Sequence, residues 1–212
     1  MDEWTNEEFF NPFGPNILRL KIDEDTRLKI LDSISICLNS HEPMRFGSYI
    51  NNAVKNSIVD GKMGEVPEEW LKKHPENKIE NTIKKLLCRY GERYHNRPCL
   101  STITDVWYVV MKAGDFHILH SHIKHGERVS LDTIELSGAI YLEVPDNLPD
   151  PQGNINWVIG GPMGTEYNPF WDCSPEQGDV FLWPGWLMHM VYPFRSKQER
   201  LMISFNGQIV CR

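Results

Sequence analysis

The chain has 212 residues, of which 41% are apolar and 24% are charged, as is ordinary for a soluble globular protein. Its formal net charge of −7 does not provide the basic field with which a general nucleic-acid-binding protein displaces counterions. No apolar run reaches the roughly 18 residues that span a bilayer. The acidic start of the chain has no signal-peptide h-region, so we expect a cytoplasmic protein without membrane contact. Five scattered cysteines with no Cys-x-x-Cys motif predict free thiols rather than a disulfide framework.

The first hundred residues are predicted to be mainly helical. Residues 17–22 alternate like a short strand, and Asp23 or Asp25 can cap the helix that follows. The apolar face of this helix is predicted to comprise Leu28, Leu31, Ile34 and Leu38. A second helix is expected after Pro75, with an apolar face of Ile79, Ile83, Leu86, Leu87 and Tyr90.

The pattern changes to short β-type runs near residue 100. The predicted strands are residues 103–111, 137–144, 154–159, 179–183, 188–192 and 200–210. Many short strands separated by Gly, Pro, Asn and Asp are typical of a jelly roll. We therefore predict a mainly β fold, in which residues 101–212 form a double-stranded β-helix. Residues 1–100 would form a helical part of the same domain, packed on its outer face.

Four of the eight histidines fall within nine positions, at 117, 120, 122 and 125. In a strand, His120 and His122 would point to the same side, and two adjacent imidazoles can bind one metal ion. His189, after the segment Pro184-Gly185-Trp186, is the best candidate for a third ligand. A solvated histidine-rich loop is the alternative interpretation.

The last predicted strand has one apolar face and one polar face. Leu201, Ile203 and Phe205 alternate with a second set, which is Arg200, Met202, Ser204 and Asn206. Arginine, serine and asparagine on one face favour a polar cavity, where the arginine could hold a carboxylate through two parallel hydrogen bonds. A surface ion pair is the alternative for Arg200.

Four stretches resemble the 2-oxoglutarate/Fe(II)-dependent oxygenases, and they occur in the expected order. The likeness is to small oxygenases with a His-x-His pair and a Phe-Pro-Ser-Trp-Leu-x-His segment, and more distantly to prolyl hydroxylases. The stretches are residues 112–122, 136–142, 178–189 and 199–206.

The resemblance implies a dioxygenase in which His120, His122 and His189 bind Fe(II). Arg200 would pair with the far carboxylate of 2-oxoglutarate and Tyr141 would lie beside it, with Ser204 and Asn206 on the same polar face. O₂ and the keto-acid end would take the remaining iron positions. The substrate, whether a protein side chain or a small molecule, is left open.

One position departs from the superfamily pattern, which has a carboxylate where this chain has His122. A nearby acidic residue could supply that ligand instead. The candidates are Asp115, Glu127 and Asp132.

Two other functions fit the same fold. A cupin would add Glu127 to the three histidines, but two glycines of the cupin pattern are missing and a cupin has no use for Arg200. A metal-free jelly-roll structural protein is the second, and it predicts no metal in the purified protein.

Overall fold

The structure is a computed structural model that describes residues 4–10, 14–39, 57–74, 78–122, 133–160 and 169–211. The first part of the chain contributes β1 (Trp4–Phe10), β2 (Ile17–Ile22), α1 (Glu24–Asn39), β3 (Lys62–Glu65), α2 (Glu68–Lys73) and α3 (Ile79–His95). The second part contributes β4 (Cys99–Met111), β5 (His117–His120), β6 (Ile134–Glu143), β7 (Ile155–Val158), β8 (Phe170–Cys173), β9 (Asp179–Pro184), β10 (Met188–Val191) and β11 (Arg200–Cys211). No helix in these ranges is both long and apolar enough to cross a bilayer.

The strands form two antiparallel sheets that face each other. The major sheet has the order β1-β2-β9-β6-β11-β4-β3, and the minor sheet has the order β5-β10-β7-β8. Each sheet alternates strands from distant parts of the chain, as expected for a double-stranded β-helix. The predicted fold class is therefore confirmed, and the six strands expected beyond residue 100 are all present with shifted ends. The first hundred residues were predicted to be mainly helical with one short strand, and they also add β1 and β3 to the major sheet.

Two apolar cores lie on opposite faces of the major sheet. The outer core combines side chains of α1 and α3 with one face of β11, including Leu201, Ile203 and Phe205. The inner core lies between the sheets and includes Trp107, Tyr141, Trp157 and Met202. The alternation of β11 therefore separates these two environments, because successive side chains of a strand point to opposite faces.

The helices follow their sequence signals with one exception. Asp23 caps α1, since its carboxylate accepts hydrogen bonds from the backbone N–H and the hydroxyl of Thr26 at 2.9 and 2.8 Å. All five residues of the predicted apolar face of α3 are buried. In α1, however, Leu28 is exposed and Ile30 takes the buried position.

The prediction of free thiols is wrong for two cysteines. Cys99 at the start of β4 pairs directly with Cys211 at the end of β11, and their sulfurs form a disulfide bond. The residues are 112 positions apart, so only the pairing of the two strands brings them together. Cys88 and Cys173 are free, and Cys37 lies in α1.

Candidate metal centre

Three histidines converge between the two sheets. His120 ends β5 and lies directly opposite His189 of the neighbouring strand β10, while His122 follows two residues after His120. One ring nitrogen from each lies within 4.8 Å of the others, and the Nε2 atoms of His120 and His122 are 3.1 Å apart. Two ligands at about 2.1 Å from one ion, at right angles, are about 3 Å apart, so the spacing fits a single metal.

The other ring nitrogen of each histidine is bound to an oxygen atom. His120 Nδ1 lies 2.7 Å from the carbonyl of Ile118, and His189 Nδ1 lies 3.0 Å from the carbonyl of Leu187. A carbonyl oxygen only accepts, so both Nδ1 atoms carry the proton. Each Nε2 would then present its lone pair to a bound metal ion, because a hydrogen bond at the other ring nitrogen is what orients histidine ligands in metalloproteins.

His122 is oriented by side chains instead of by the backbone. Its Nδ1 lies 2.6 Å from Oδ1 of Asn206, which also accepts a hydrogen bond from the Ser137 hydroxyl at 2.9 Å. Asn206 Nδ2 in turn donates to Asp105 at 3.4 Å. Asn206 was predicted to bind the cosubstrate, and the structure places it behind a metal-ligand candidate.

Burial keeps the three imidazoles uncharged. It lowers the pKa of His122 to about 3, with His120 adding to the effect. The pKa of His189 also falls well below its usual value through burial and the neighbouring histidines, and burial lowers the pKa of His120. Metal binding requires neutral imidazole, so this cluster is already in the protonation state that Fe(II) needs.

A β-bulge adds a fourth histidine to the same cavity. His189 pairs with His120 and Val191 with His117, so three steps along β5 match two steps along β10. His117 and His120 therefore both face inward, which regular alternation would forbid. The His117 ring lies 5.9 Å from the His120 ring, and its Nε2 is buried without a hydrogen-bond partner. The sequence showed this histidine but gave it no role.

The cavity runs along the inner face of the major sheet. Successive inward-facing residues of β11 mark positions from its closed end to its opening. Met202 of β11 pairs with Tyr141 of β6 towards the closed end. Ser204, two residues further along β11, lies nearer the opening, and Asn206 lies beside His122. Ser204 is buried and lines the cavity, and its role in cosubstrate binding stays a prediction. The open end carries acidic side chains, namely Glu65, Asp105 and Glu135, and no Lys or Arg among the described lining residues.

Arg200 lies behind the closed end of this cavity. It is fully buried, with Cζ 5.8 Å from the Tyr141 ring centroid and 5.2 Å from that of Phe194. One guanidinium nitrogen, Nη2, donates to the carbonyl of Gly153 at 2.6 Å. Arg200 lines a second cavity under residues 144–153 and not the cavity of the histidines.

The buried polar groups at this end fit a carboxylate. Nε and Nη1 of Arg200 and the hydroxyl of Tyr141 are buried without a partner among the described residues. Leaving buried donors unpaired is costly, and a charged guanidinium costs most of all. A carboxylate there would accept hydrogen bonds from all three, so the donor set fits the far end of 2-oxoglutarate.

Of the three acidic residues that could replace His122 as a ligand, two remain candidates. Asp115 accepts hydrogen bonds from the backbone amides of Val59, Asp60 and Lys112, and it is not part of the metal-binding cluster. Glu127 and Asp132 lie outside the described residues. Among the residues described, the candidate ligand set is therefore three histidines.

The fold and the site together define a double-stranded β-helix protein with a candidate metal centre of three histidines. A family model described as "Putative 2OG-Fe(II) oxygenase" matches residues 105–206, just under half of the chain. That range contains every residue that the sequence predicted for iron and cosubstrate. The protein is a 2-oxoglutarate- and Fe(II)-dependent oxygenase, and Fe(II), 2-oxoglutarate and O₂ are its cofactors.

Solved structures share the fold at low sequence identity. SnoN, a non-haem α-ketoglutarate-dependent epimerase from nogalamycin biosynthesis, is 13% identical over 90% of this chain and 76% of its own, with a TM-score of 0.60. A prolyl hydroxylase from Trichoplax adhaerens, solved with a hypoxia-inducible-factor peptide, is 15% identical over 97% and 83%, with a TM-score of 0.57. HygX from Streptomyces hygroscopicus, solved with nickel and 2-oxoglutarate, is 13% identical over 90% and 81%, with a TM-score of 0.53. No curated protein matches the sequence.

Proposed function

We propose that His120, His122 and His189 hold the iron, that Arg200 and Tyr141 hold the far carboxylate of 2-oxoglutarate, and that the enzyme hydroxylates a protein side chain. The observation that carries the proposal is the convergence of three Nε2 lone pairs on a cavity with unpaired donors at its closed end. The other end of the same cavity is open to a substrate.

Each group of the chain has a separate task in this reaction. Fe(II) and 2-oxoglutarate supply the activation of O₂ that protein side chains cannot perform. The carbonyls of Ile118 and Leu187 and the amide of Asn206 hold the imidazoles in the tautomer that binds metal. The aromatic wall around the site, including Trp107 and Trp183, excludes water from the inner end.

The choice of a protein substrate rests on the fold and on the open end. The Trichoplax prolyl hydroxylase, which shares the fold, was solved with a peptide bound. The carboxylates of Glu65, Asp105 and Glu135 at the opening disfavour an anionic substrate and favour a neutral or basic segment. They also weigh against nucleic acid as the substrate.

The proposal includes a cytoplasmic location, and the redox state of Cys99 and Cys211 tests it. A bond between Cys99 and Cys211 persists in oxidising compartments and is reduced in the cytosol. Thiol labelling of the protein as it leaves its native cells should find both cysteines reduced. Full protection from labelling would place the protein elsewhere.

The first experiment is an anaerobic titration of the protein with Fe(II) and 2-oxoglutarate, followed by the metal-to-ligand absorption band. We expect one iron per chain, a band in the wild type, and loss of stoichiometric iron in His189→Ala. His74→Ala is the matched control, because His74 stacks on Trp70 and does not line the cavity. Absence of the band and of any slow 2-oxoglutarate turnover would favour a cupin, and absence of bound metal would favour a structural protein.

Arg200 and Glu127 separate the oxygenase site from the cupin site. Arg200→Ala should weaken the binding of 2-oxoglutarate roughly 30-fold or more, because one partner of a buried charge pair is lost. The binding of iron should be far less affected. Arg200→Lys should recover only part of the lost 2-oxoglutarate affinity, since an ammonium group cannot make the two parallel hydrogen bonds of a guanidinium. Glu127→Gln should leave iron affinity nearly unchanged, whereas a loss of about tenfold would support the cupin ligand set.

A further inference from the structure

His117 is a buried polar side chain of the cavity to which the proposed site gives no task. It is almost completely buried, at 6% exposure, and its Nε2 has no partner among the described residues. It reaches the cavity only because of the bulge between β5 and β10, since a regular strand would turn it away from His120. A buried unpaired imidazole is costly, so the position calls for a ligand atom.

His117 is not part of the metal-binding set. The ring nitrogens that lie close enough to share an ion belong to His120, His122 and His189 alone, within the described part of the chain. His117 instead lines the cavity with Tyr141, Ile155, Val191 and Met202, which surround its closed end. The same end is backed by Arg200.

The unpaired groups at the closed end are ones that a carboxylate can satisfy. An ionised carboxylate has two oxygens with about four lone-pair sites. Arg200 Nε, Arg200 Nη1 and Tyr141 Oη supply three unpaired donors, and His117 Nε2 supplies the fourth group. No side chain among the described residues forms a hydrogen bond with any of these four atoms, so they can receive the carboxylate of a bound molecule.

We propose that His117 is a cosubstrate-binding residue whose Nε2–H donates a hydrogen bond to the far carboxylate of 2-oxoglutarate, beside Tyr141 and Arg200. The inference rests on the proposed function and adds a specific contact to it. It also explains the bulge in β5, which turns His117 into the cavity without displacing His120. The contact selects for a keto acid with a second carboxylate, because a ligand without one leaves His117 unpaired.

The test compares two keto acids that differ only at the far end. Iron-loaded protein is titrated without oxygen with 2-oxoglutarate and with 2-oxopentanoate, which has the same carbon chain and no far carboxylate. His117→Leu removes the donor at similar size, His117→Gln keeps an N–H donor, and Leu119→Ala is the control. Leu119 lies on the same strand and is exposed on the outer side.

In His117→Leu, 2-oxoglutarate should bind about tenfold more weakly or worse, as expected for a lost hydrogen bond to a charged group. Binding of 2-oxopentanoate and of iron should change less than about twofold, which also shows that the variant is folded. His117→Gln should recover part of the loss, and Leu119→Ala should behave like the wild type.

Two results would overturn the role of His117. One is unchanged 2-oxoglutarate affinity in His117→Leu, and the other is an equal loss for both keto acids, which would place His117 elsewhere. Failure of the proposed function is a separate result, because the wild type would then give no 2-oxoglutarate band at all.

Discussion

Asn206 links a metal-ligand candidate to the major sheet. Its Oδ1 accepts from His122 and from Ser137, and its amide nitrogen approaches Asp105. The other two candidates are oriented by backbone carbonyls two residues earlier in the chain, which a side-chain substitution does not remove. His122 is therefore the candidate ligand whose orientation can be changed by mutation.

Asn206→Leu should lower Fe(II) affinity by about 10- to 100-fold, the usual effect of removing the partner of a metal-bound histidine. Asn206→Asp should retain the affinity or raise it, because a carboxylate accepts the same hydrogen bond and makes the imidazole more basic. Anaerobic metal titration measures both. Equal affinities in Leu and Asp variants would show that Asn206 does not orient His122.

Close packing between β6 and β11 depends on a glycine. Gly138 lies opposite Phe205, whose ring occupies the space that a Cβ at position 138 would need. Phe205 belongs to the outer core, so the ring has little room to move. The same strands carry Tyr141, Ser204 and Asn206 into the cavity.

Gly138→Ala should lower the free energy of unfolding by about 1–3 kcal/mol, as overpacking of a core does. Urea unfolding of the apo protein is the measurement. Combining it with Phe205→Leu should cost less than the sum of the two single changes, because the smaller side chain makes room for the methyl group. Additive losses would contradict the proposed contact.

The disulfide closes the largest loop of the described chain. Cys99 and Cys211 join the first residue of β4 to the last of β11, over 112 positions. In the chain-entropy view, closing such a loop restricts the unfolded chain and stabilises the fold by several kcal/mol.

Cys211→Ser should lower the free energy of unfolding by about 2–5 kcal/mol in non-reducing buffer. Reductant should lower the wild type to the level of the variant and leave the variant unchanged. Cys173→Ser, which removes a free thiol, should keep the full response to reductant. A wild type that is insensitive to reductant would mean that the bond contributes no stability.

The buried histidines make the apo protein sensitive to mild acid. Burial lowers the pKa of His117 and of His122 to about 3, and the neighbouring His120 adds to the effect in both. Burial also lowers the pKa values of His120 and His189. The unfolded chain, with histidine pKa values near 6.5, therefore binds more protons than the native state between about pH 6.5 and 3. The contribution of these neutral histidines to the free energy of unfolding is fully present above pH 6.5 and is lost as the pH falls below it.

Urea unfolding between pH 6.5 and 5, where most carboxylates stay ionised, should show this loss. Each of these histidines contributes a slope of up to about 1.4 kcal/mol per pH unit. His117→Leu should reduce the slope by about one histidine's share. An identical slope in this variant would show that His117 is protonated in the native state.

Much of the site could be predicted from local sequence, because alternation along a strand follows from its covalent geometry. The two faces of Arg200–Asn206, the apolar face of α3 and the spacing of His120 and His122 all depend on residues near one another in the chain. His189 and Arg200 were also candidates from the residues themselves, and the resemblance to the oxygenases implied a role for each. These features need no knowledge of which strands become neighbours.

Strand pairing alone decided the remaining features. The inward turn of His117 comes from a register shift against β10, the Cys99–Cys211 bond from two strand ends that meet, and the contact of Asn206 with His122 from two segments 84 residues apart. β1 and β3 likewise extend a sheet whose other strands come later in the chain. A period-two pattern specifies which face a side chain takes relative to its neighbours in sequence. It does not specify the partner strand or the register, because these depend on how distant segments bury their apolar faces together.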